Sequence, residues 1–391
     1  MVHAAGGRTR QDRSFRPDIE GLRAVAVMAV VLFHFFRTQV THLAGGYVGV
    51  DVFFVISGYV ITSVFLRERA GTGKTSLLTF YGRRARRILP MATLVIVVSL
   101  IGERFLVSQS VAKLVADDAR WAAVFLANVH FARVYPNYLA PRPASALQTY
   151  WSLGVEEQFY LVFPTLFIGV ATIARRWSVR WKLGLVLLLV IAASFTWSVV
   201  STGHGTLTAY DSTFTRAWEL ALGALVATAG NRLARLPAAV GAVATWIGLI
   251  GIGLAIGIYN LFTTYPGWES SVPVVATALI IGGGCSAPRF GVEVLLKLSP
   301  FKWLGRWSYS LYLWHWPILT IATQHWHQIS TTTDVALVGV AVVLSAFTYF
   351  AIENPIRRSR WLNRGRWGSV ASLGIGAVLI GVTFAVAGLV S

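Results

Sequence analysis

The sequence predicts an all-α integral membrane protein of about eleven transmembrane helices, because the chain is apolar, weakly charged and divided into long apolar runs. Of its 391 residues, 55% are hydrophobic and 13% are charged, and the mean hydropathy is +0.62. Soluble domains carry about 25% charged residues, so this chain lacks the polar surface of a soluble protein. Lipid admits only helices or closed barrels, and the long runs argue against the alternating strands of a barrel.

Eleven apolar windows have about the length that a bilayer requires. They lie at 22–37, 47–66, 88–106, 153–173, 183–201, 214–230, 238–259, 271–287, 303–323, 334–352 and 368–390. A twelfth window, 119–134, is short and contains Asn128, His130 and Arg133. We interpret this twelfth window as a re-entrant or interfacial segment.

The distribution of basic residues predicts the orientation. With eleven spans, a cytoplasmic N-terminus places most lysines and arginines in cytoplasmic loops and makes the C-terminus extracytoplasmic, as the positive-inside rule requires. If 119–134 crossed the membrane, the basic clusters at 175–182 and 357–366 would lie outside. The same rule explains most of the formal net charge of +18, so we expect no nucleic-acid partner. The single cysteine, Cys285, excludes a disulfide framework, and we assign no metal site.

The first apolar window contains an arginine and a histidine, Arg23 and His34. Eleven residues make about three helical turns, so both side chains lie on one helix face, and Glu20 lies about 40° from His34. Ionisable groups at membrane depth are rare and are functional by default. A histidine can serve as general base or acyl acceptor at physiological pH. The alternative is a core histidine that is hydrogen-bonded to a neighbouring helix.

A second segment, FYGRRARRILP, contains four arginines, Arg83, Arg84, Arg86 and Arg87. Helical spacings of three and four residues let neighbouring guanidinium groups converge. Arginine is suited to bidentate capture of phosphate, so a nucleotide-like donor with several phosphates fits this segment. The alternative is a topological anchor that contacts anionic lipid.

A third segment, WSLGVEEQFY, places two carboxylates, Glu156 and Glu157, in an apolar helix near the outer face, with Tyr160 following. Burial would let one carboxylate exchange protons or orient a histidine. The alternative is a helix N-terminus that acidic residues stabilise by less than about 1 kcal/mol. The remaining candidates for substrate binding are more scattered along the chain: Asp51, Ser57, Arg216, Glu219, Tyr309 and His315. For these the alternatives are an Arg216–Glu219 ion pair, close helix packing at glycines and aromatic core packing.

Five segments occur together in one order: Arg23 followed by His34, GGYVGVDVFFVISGY, FYGRRARRILP, WSLGVEEQFY and SYSLYLWHWP. Together they resemble the acyltransferase-3 family over about residues 15–356. Members of that family are bacterial membrane enzymes that O-acylate extracytoplasmic glycans or glycolipids. The resemblance implies acyl-CoA, most often acetyl-CoA, as a donor substrate reached from the cytoplasm, with no permanently bound cofactor. It also implies Arg23 and His34 at the reaction centre, the four arginines at the donor site, and Glu156 and Glu157 as the family's acidic pair.

The resemblance also implies how the chain is divided into segments. It implies a basic cytoplasmic tail at 1–17, an acyltransferase domain at 18–356, and a basic loop with a final helix at 357–391. In relatives that helix leads to an SGNH hydrolase-like domain, so we expect either a truncated chain or a separate SGNH-type partner. The expected location is the bacterial cytoplasmic membrane, in contact with its lipid. The alternative function is a transporter or flippase of a lipid or glycan intermediate, which needs no thioester.

Overall fold

A computed structural model describes residues 16–36, 39–134, 145–173 and 177–391. Across these ranges the chain is helical with short connections, and no strand occurs in them. The all-α prediction is therefore confirmed. Most of the predicted N-terminal tail and part of the basic loop near 175 lie outside the described residues.

Fifteen α-helices are present in the described ranges, and two of them continue into π-helical turns. The helices are α1 (Pro17–Phe36), α2 (Gly49–Thr72), α3 (Leu77–Gly102), α4 (Gln109–Ala123), α5 (Ala127–Val134), α6 (Tyr150–Thr172), α7 (Val179–Gly203), α8 (Thr213–Leu233), α9 (Ala238–Ile258), α10 (Ser271–Gly283), α11 (Glu293–Leu296), α12 (Ser299–Trp326), α13 (Thr331–Thr348), α14 (Asn354–Arg358) and α15 (Gly365–Val390). The π-helical turns, Glu103–Val107 and Tyr349–Glu353, follow α3 and α13. Several helices begin at a serine whose hydroxyl accepts a backbone N–H, as Ser76 does at α3 and Ser178 at α7.

Eight helices of the described chain are long and apolar enough to cross a membrane: α1, α2, α3, α6, α7, α9, α13 and α15. The protein is therefore a multi-pass membrane protein. The other three predicted windows coincide with α8 and α12, which are long but carry charged side chains, and with the 13-residue α10. The twelfth window falls on the end of α4 and on α5, and neither helix is long enough to span. The count of eleven and the orientation of the termini stay predictions.

Close helix crossings bring the functional segments together. In the bundle α1 packs against α12 and α2, α2 packs against α8, and α3 packs against α15. A Cβ added at Gly58 of α2 would lie 1.8 Å from the carbonyl oxygen of Leu220 on α8. A Cβ at Gly305 of α12 would lie 1.8 Å from the carbonyl oxygen of Glu20 on α1. The missing side chains therefore let backbones touch, as is common between membrane helices.

Candidate active site

A cavity of about 560 Å³ lies among α1, α2, α3, α6 and α12. Its volume is in the range of small-molecule binding sites. Most of the candidates from the sequence line it: Glu20, Arg23, Ser57, Arg83, Arg84, Arg86, Arg87, Glu156, Tyr160 and Tyr309. Five separate sequence segments therefore meet in one space.

Arg84 is the centre of an ion-pair cluster in the cavity wall. Its Nε and Nη2 donate to the Glu157 carboxylate at 2.6–3.0 Å, and Nη2 also donates to Oε1 of Glu156 at 2.9 Å. The hydroxyl of Ser57 donates to the same Glu156 oxygen at 2.9 Å. The guanidinium carbon lies 3.4 Å from the ring centroid of Tyr160. Two carboxylates therefore compensate the charge of Arg84, and Glu156 is held at the cavity surface.

This cluster corrects two interpretations of the acidic pair. Glu156 lies six residues into α6, beyond its first turn, so the pair does not stabilise a helix N-terminus. Neither carboxylate is hydrogen-bonded to His34 in the described part of the chain, because both are bound to Arg84. The sequence could not distinguish these partners, because separation along the chain does not show which helices lie side by side.

The four arginines of α3 have different surroundings. Arg86 is buried and donates to the carbonyl of Leu362 and to Asn363 at 2.9 and 2.5 Å. Arg83 is exposed, with Nη2 3.6 Å from a carboxylate oxygen of Glu68. Arg87 makes neither an ion pair nor a side-chain hydrogen bond with any residue that the structure describes. Only part of the arginine segment is therefore held by protein partners.

Arg23, like Arg87, has a charge that no described residue compensates. Within the described ranges it makes no ion pair or side-chain hydrogen bond, although it lines the same cavity, and the two positive charges repel each other. The lining as a whole has an excess of positive charge: Arg23, Arg83, Arg84, Arg86, Arg87 and Arg357 against Glu20 and Glu156. Guanidinium groups without carboxylate partners favour an anion, and phosphate suits their geometry.

Arg357 is a lining residue that the motif reasoning missed. It lies on α14, in a basic segment that the positive-inside rule already explained, so its charge carried no separate signal. Ser152 and Tyr312 also line the cavity and were not singled out. Both belong to segments that were recognised, WSLGVEEQFY and SYSLYLWHWP. Their hydroxyl groups, placed within these segments, were the feature that could have indicated a polar cavity lining.

His34 lies outside the cavity lining and pairs with the other predicted histidine. Its Nδ1 is 3.0 Å from Nε2 of His315, and the two ring centroids lie 5.1 Å apart with 24° between the ring planes. Nδ1 of His315 lies 3.2 Å from the carbonyl oxygen of Leu311. The ring of Trp316 is 4.5 Å from that of His34. A hydrogen bond to a neighbouring helix, which was the alternative interpretation of His34, is present, and its partner is a second imidazole.

The histidine pair lies behind the aromatic end of the cavity. Tyr312 lines the cavity, and its ring centroid is 5.5 Å from that of His315, one helical turn further along α12. The Tyr312 hydroxyl is 2.6 Å from Oγ of Ser152 and donates to the carbonyl of Thr149 at 3.2 Å. The Tyr312 side chain therefore lies against both the arginine-lined space and the His315 ring.

Asp51, Arg216 and Glu219, which the sequence predicts as substrate-binding residues, do not line the cavity. Arg216 Nη1 donates to Asp51 at 2.9 Å and to Glu219 at 3.0 Å, and each side chain is at most 1% exposed. The ring of Tyr210 lies 4.9 Å from the guanidinium carbon. The ion-pair alternative is thus what the structure contains, and substrate has no surface there to contact. Sequence spacing cannot show whether buried charges face a cavity or each other.

The chain is similar to known proteins over most of its length. A family model described as an acyltransferase domain matches residues 16–352. The chain belongs to the acyltransferase-3 family. Membership predicted from the five segments is therefore confirmed, and the match covers α1 through α13. No solved structure matches the chain.

Several curated relatives of this acyltransferase-3 chain have names that state an activity. It is 30% identical over 373 residues to the peptidoglycan O-acetyltransferase OatA of Listeria monocytogenes, with 91% of this chain and 58% of that protein covered. It is 30% identical to the putative peptidoglycan O-acetyltransferase YrhL of Bacillus subtilis, with 89% and 56% covered. A putative O-acetyltransferase of Staphylococcus aureus is 27% identical, with 88% and 58% covered. The chain thus spans less than two thirds of the length of these relatives.

Proposed function

We propose that this protein is a membrane O-acyltransferase that moves an acetyl group from acetyl-CoA to a hydroxyl of an extracytoplasmic glycan. The observation that carries the proposal is an arginine-lined cavity whose aromatic end abuts a pair of histidines. The names of the curated relatives support acetyl as the acyl group and peptidoglycan as the acceptor class. The protein acts in the bacterial cytoplasmic membrane, with the cavity open to the cytoplasm. An SGNH-type domain or protein passing the acetyl group onward is part of the same proposal.

The charges of the cavity support binding of the CoA phosphates. Side-chain exposure is 43% for Arg83 and 35% for Arg357, so these two arginines lie at the mouth and meet the donor first. Arg23 and Arg87 line the cavity without carboxylate partners in the described chain, and they bind phosphate directly. Arg84 and Arg86, which already have protein partners, shape the wall. The pantetheine arm then extends towards the aromatic end.

The histidine pair supports the transfer step. The thioester passes the ring of Tyr312 to reach His34, so the tyrosine side chain moves during the reaction. Nε2 of His34 takes the proton of the acceptor hydroxyl while the hydroxyl oxygen forms a bond to the thioester carbonyl carbon. The C–S bond then breaks, and the CoA thiolate receives that proton, so the products are an ester and free CoA. A route through an acyl-imidazole on His34 uses the same nitrogen.

The test is turnover by the purified protein in lipid nanodiscs with radiolabelled acetyl-CoA and muropeptide acceptors. We expect release of free CoA, label in the muropeptide once an SGNH-type protein is supplied, and loss of both with His34→Ala. The matched control is His204→Ala, because His204 lies just beyond the end of α7 and outside the cavity lining. A transporter or flippase would release no CoA. Retained turnover in His34→Ala would remove this histidine from the mechanism.

A further inference from the structure

His315 is bound on both sides of its ring, and this arrangement determines where the hydrogens lie. Nδ1 faces the carbonyl oxygen of Leu311 at 3.2 Å, and Nε2 faces Nδ1 of His34 at 3.0 Å. We infer that His315 is a positioning residue that holds His34 in the tautomer with its hydrogen on Nδ1 and its lone pair on Nε2. The inference deepens the proposed function and rests on it for the role of Nε2.

The tautomer of His315 follows from its backbone partner. A carbonyl oxygen only accepts hydrogen bonds, so Nδ1 of His315 carries a hydrogen and donates to Leu311. The His315 side chain is fully buried, and its two ring nitrogens face a carbonyl and another imidazole. A buried charge without a carboxylate beside it is costly, so the ring is neutral and has one N–H group. Its Nε2 is therefore an acceptor.

The tautomer of His34 follows in turn. An accepting Nε2 on His315 requires a donor at 3.0 Å, and the facing atom is Nδ1 of His34. A neutral imidazole with its hydrogen on Nδ1 carries its lone pair on Nε2. The chain of bonds runs from a helix carbonyl through His315 to His34, so the fold of α12 sets the protonation pattern of a residue on α1. In the other tautomer Nε2 could not take a proton.

The same contact assists once His34 is protonated. An imidazolium at His34 has hydrogens on both nitrogens, and its Nδ1–H continues to donate to His315, now as a charge-assisted bond. The hydrogen bond to His315 and the contact with the tilted ring of Trp316 limit rotation of His34. His315 therefore acts through His34 and needs no contact with either substrate. This role differs from the substrate-binding role predicted for His315.

The first experiment is ¹⁵N NMR of the unaltered protein, labelled at histidine nitrogens and reconstituted in nanodiscs. The His34 signals are assigned by their loss in His34→Ala. We expect His34 Nδ1 to give the shift of a protonated nitrogen and Nε2 that of an unprotonated one. The opposite pattern would overturn the inference without reference to any variant of His315.

The second experiment compares His315→Gln with His315→Leu. The glutamine side chain can place an amide oxygen near the position of Nε2, so it keeps an acceptor for His34, whereas leucine has none. For His315→Leu we expect mixed His34 tautomers and a kcat about a hundredfold lower, with KM for acetyl-CoA unchanged. For His315→Gln we expect the native tautomer and most of kcat. Equal losses in both variants, or an unchanged tautomer in His315→Leu, would contradict the inference.

These outcomes are separable from failure of the proposed function. If His34→Ala retains turnover, the catalytic role of His34 fails, while the nitrogen shifts still report whether His315 sets the tautomer. If His34→Ala loses turnover but Nε2 of His34 proves protonated at neutral pH, the proposed enzyme activity stands and the inference about His315 fails. Thermal unfolding of each variant identifies a loss of fold.

Discussion

Single arginines in the cavity differ in whether the protein compensates their charge. Arg84 is bound by two carboxylates and lies over Tyr160, so its guanidinium group is committed to the wall. Arg87 lines the same cavity, has no such partner among the described residues and is repelled by Arg23. An uncompensated charge is kept in an apolar bundle only at a cost, and a bound anion removes that cost. We therefore expect the binding of an anionic ligand to depend strongly on Arg87.

Replacing Arg87 with alanine is predicted to weaken CoA binding without destabilising the fold. Hydrogen bonds to charged groups contribute about 1.5–3 kcal/mol, which corresponds to a Kd about 10- to 100-fold higher. Because Arg87→Ala also removes repulsion with Arg23, the melting temperature of the ligand-free protein should stay level or rise. Isothermal titration with CoA in nanodiscs and thermal unfolding measure the two effects.

The control for this prediction is Arg235→Ala. Arg235 is exposed just beyond the end of α8 and is not part of the cavity lining, so its removal should leave CoA affinity unchanged. An affinity that Arg87→Ala does not change, or that both variants reduce equally, would argue against a phosphate contact at Arg87. A lower melting temperature in Arg87→Ala would show a structural role instead.

Helix crossings decide how the motif residues reach the cavity. Gly58 touches the backbone of α8 at Leu220, and the neighbouring Ser57 on α2 is hydrogen-bonded to Glu156 on α6. On α12, Gly305 touches α1 at Glu20, and further along the same two helices His315 meets His34. Glycine contacts at one level of the bundle thus determine side-chain pairs at another.

Adding one methyl group at Gly58 is predicted to destabilise the bundle. The new Cβ would lie 1.8 Å from the Leu220 carbonyl oxygen, and backbone cannot move aside as a flexible side chain can. Overpacking costs about 1–3 kcal/mol, and Gly58→Ala should reach the upper end of that range. Chemical unfolding in mixed micelles measures the change.

Gly253→Ala is the matched control for Gly58→Ala. A Cβ at Gly253 on α9 would meet nothing within 4 Å, so alanine there should be neutral or stabilise the helix by up to about 1 kcal/mol. Equal effects of the two substitutions would indicate that helix propensity, and not the α2–α8 contact, controls stability.

Across the whole molecule, the charge distribution predicts a topology that can be measured. Cys285 is the single cysteine, so a Cys285→Ser background allows one new thiol at a time. With eleven spans and a cytoplasmic N-terminus, Lys113→Cys on α4 should react with a membrane-impermeant maleimide added to spheroplasts. Arg358→Cys on α14 should react only after the membrane is opened. Both native residues are exposed in the bundle.

The topology prediction can fail in two ways. Labelling of Arg358→Cys in intact spheroplasts, or protection of Lys113→Cys, would reverse the orientation or change the number of crossings between them. Ser391→Cys, at the exposed end of the chain, tests the predicted extracytoplasmic C-terminus separately. Labelling of both Lys113→Cys and Ser391→Cys from outside, with Arg358→Cys protected, matches the eleven-span arrangement.

The sequence by itself determined the helical membrane class, the family and most of the charged residues that line the cavity. Apolar length and the scarcity of charge leave few other structures for such a chain, and ionisable residues within apolar runs are costly enough to be noticed. Arg23 was identified in this way, Arg87 from the spacing of the arginine segment, and Tyr309 from its aromatic-rich segment. These features depend on local composition, which a sequence contains in full.

Only the tertiary structure decided which polar groups meet. It paired Glu157 with Arg84, Asp51 with Arg216, and His34 with His315, and it excluded the Asp51–Arg216 pair from the cavity. Along the chain the partners of these three pairs lie 73, 165 and 281 residues apart, respectively, and the two partners of each pair are on different helices. Helical periodicity fixes the face of one helix, but the partner of that face depends on how helices cross, and glycine contacts between backbones determine those crossings.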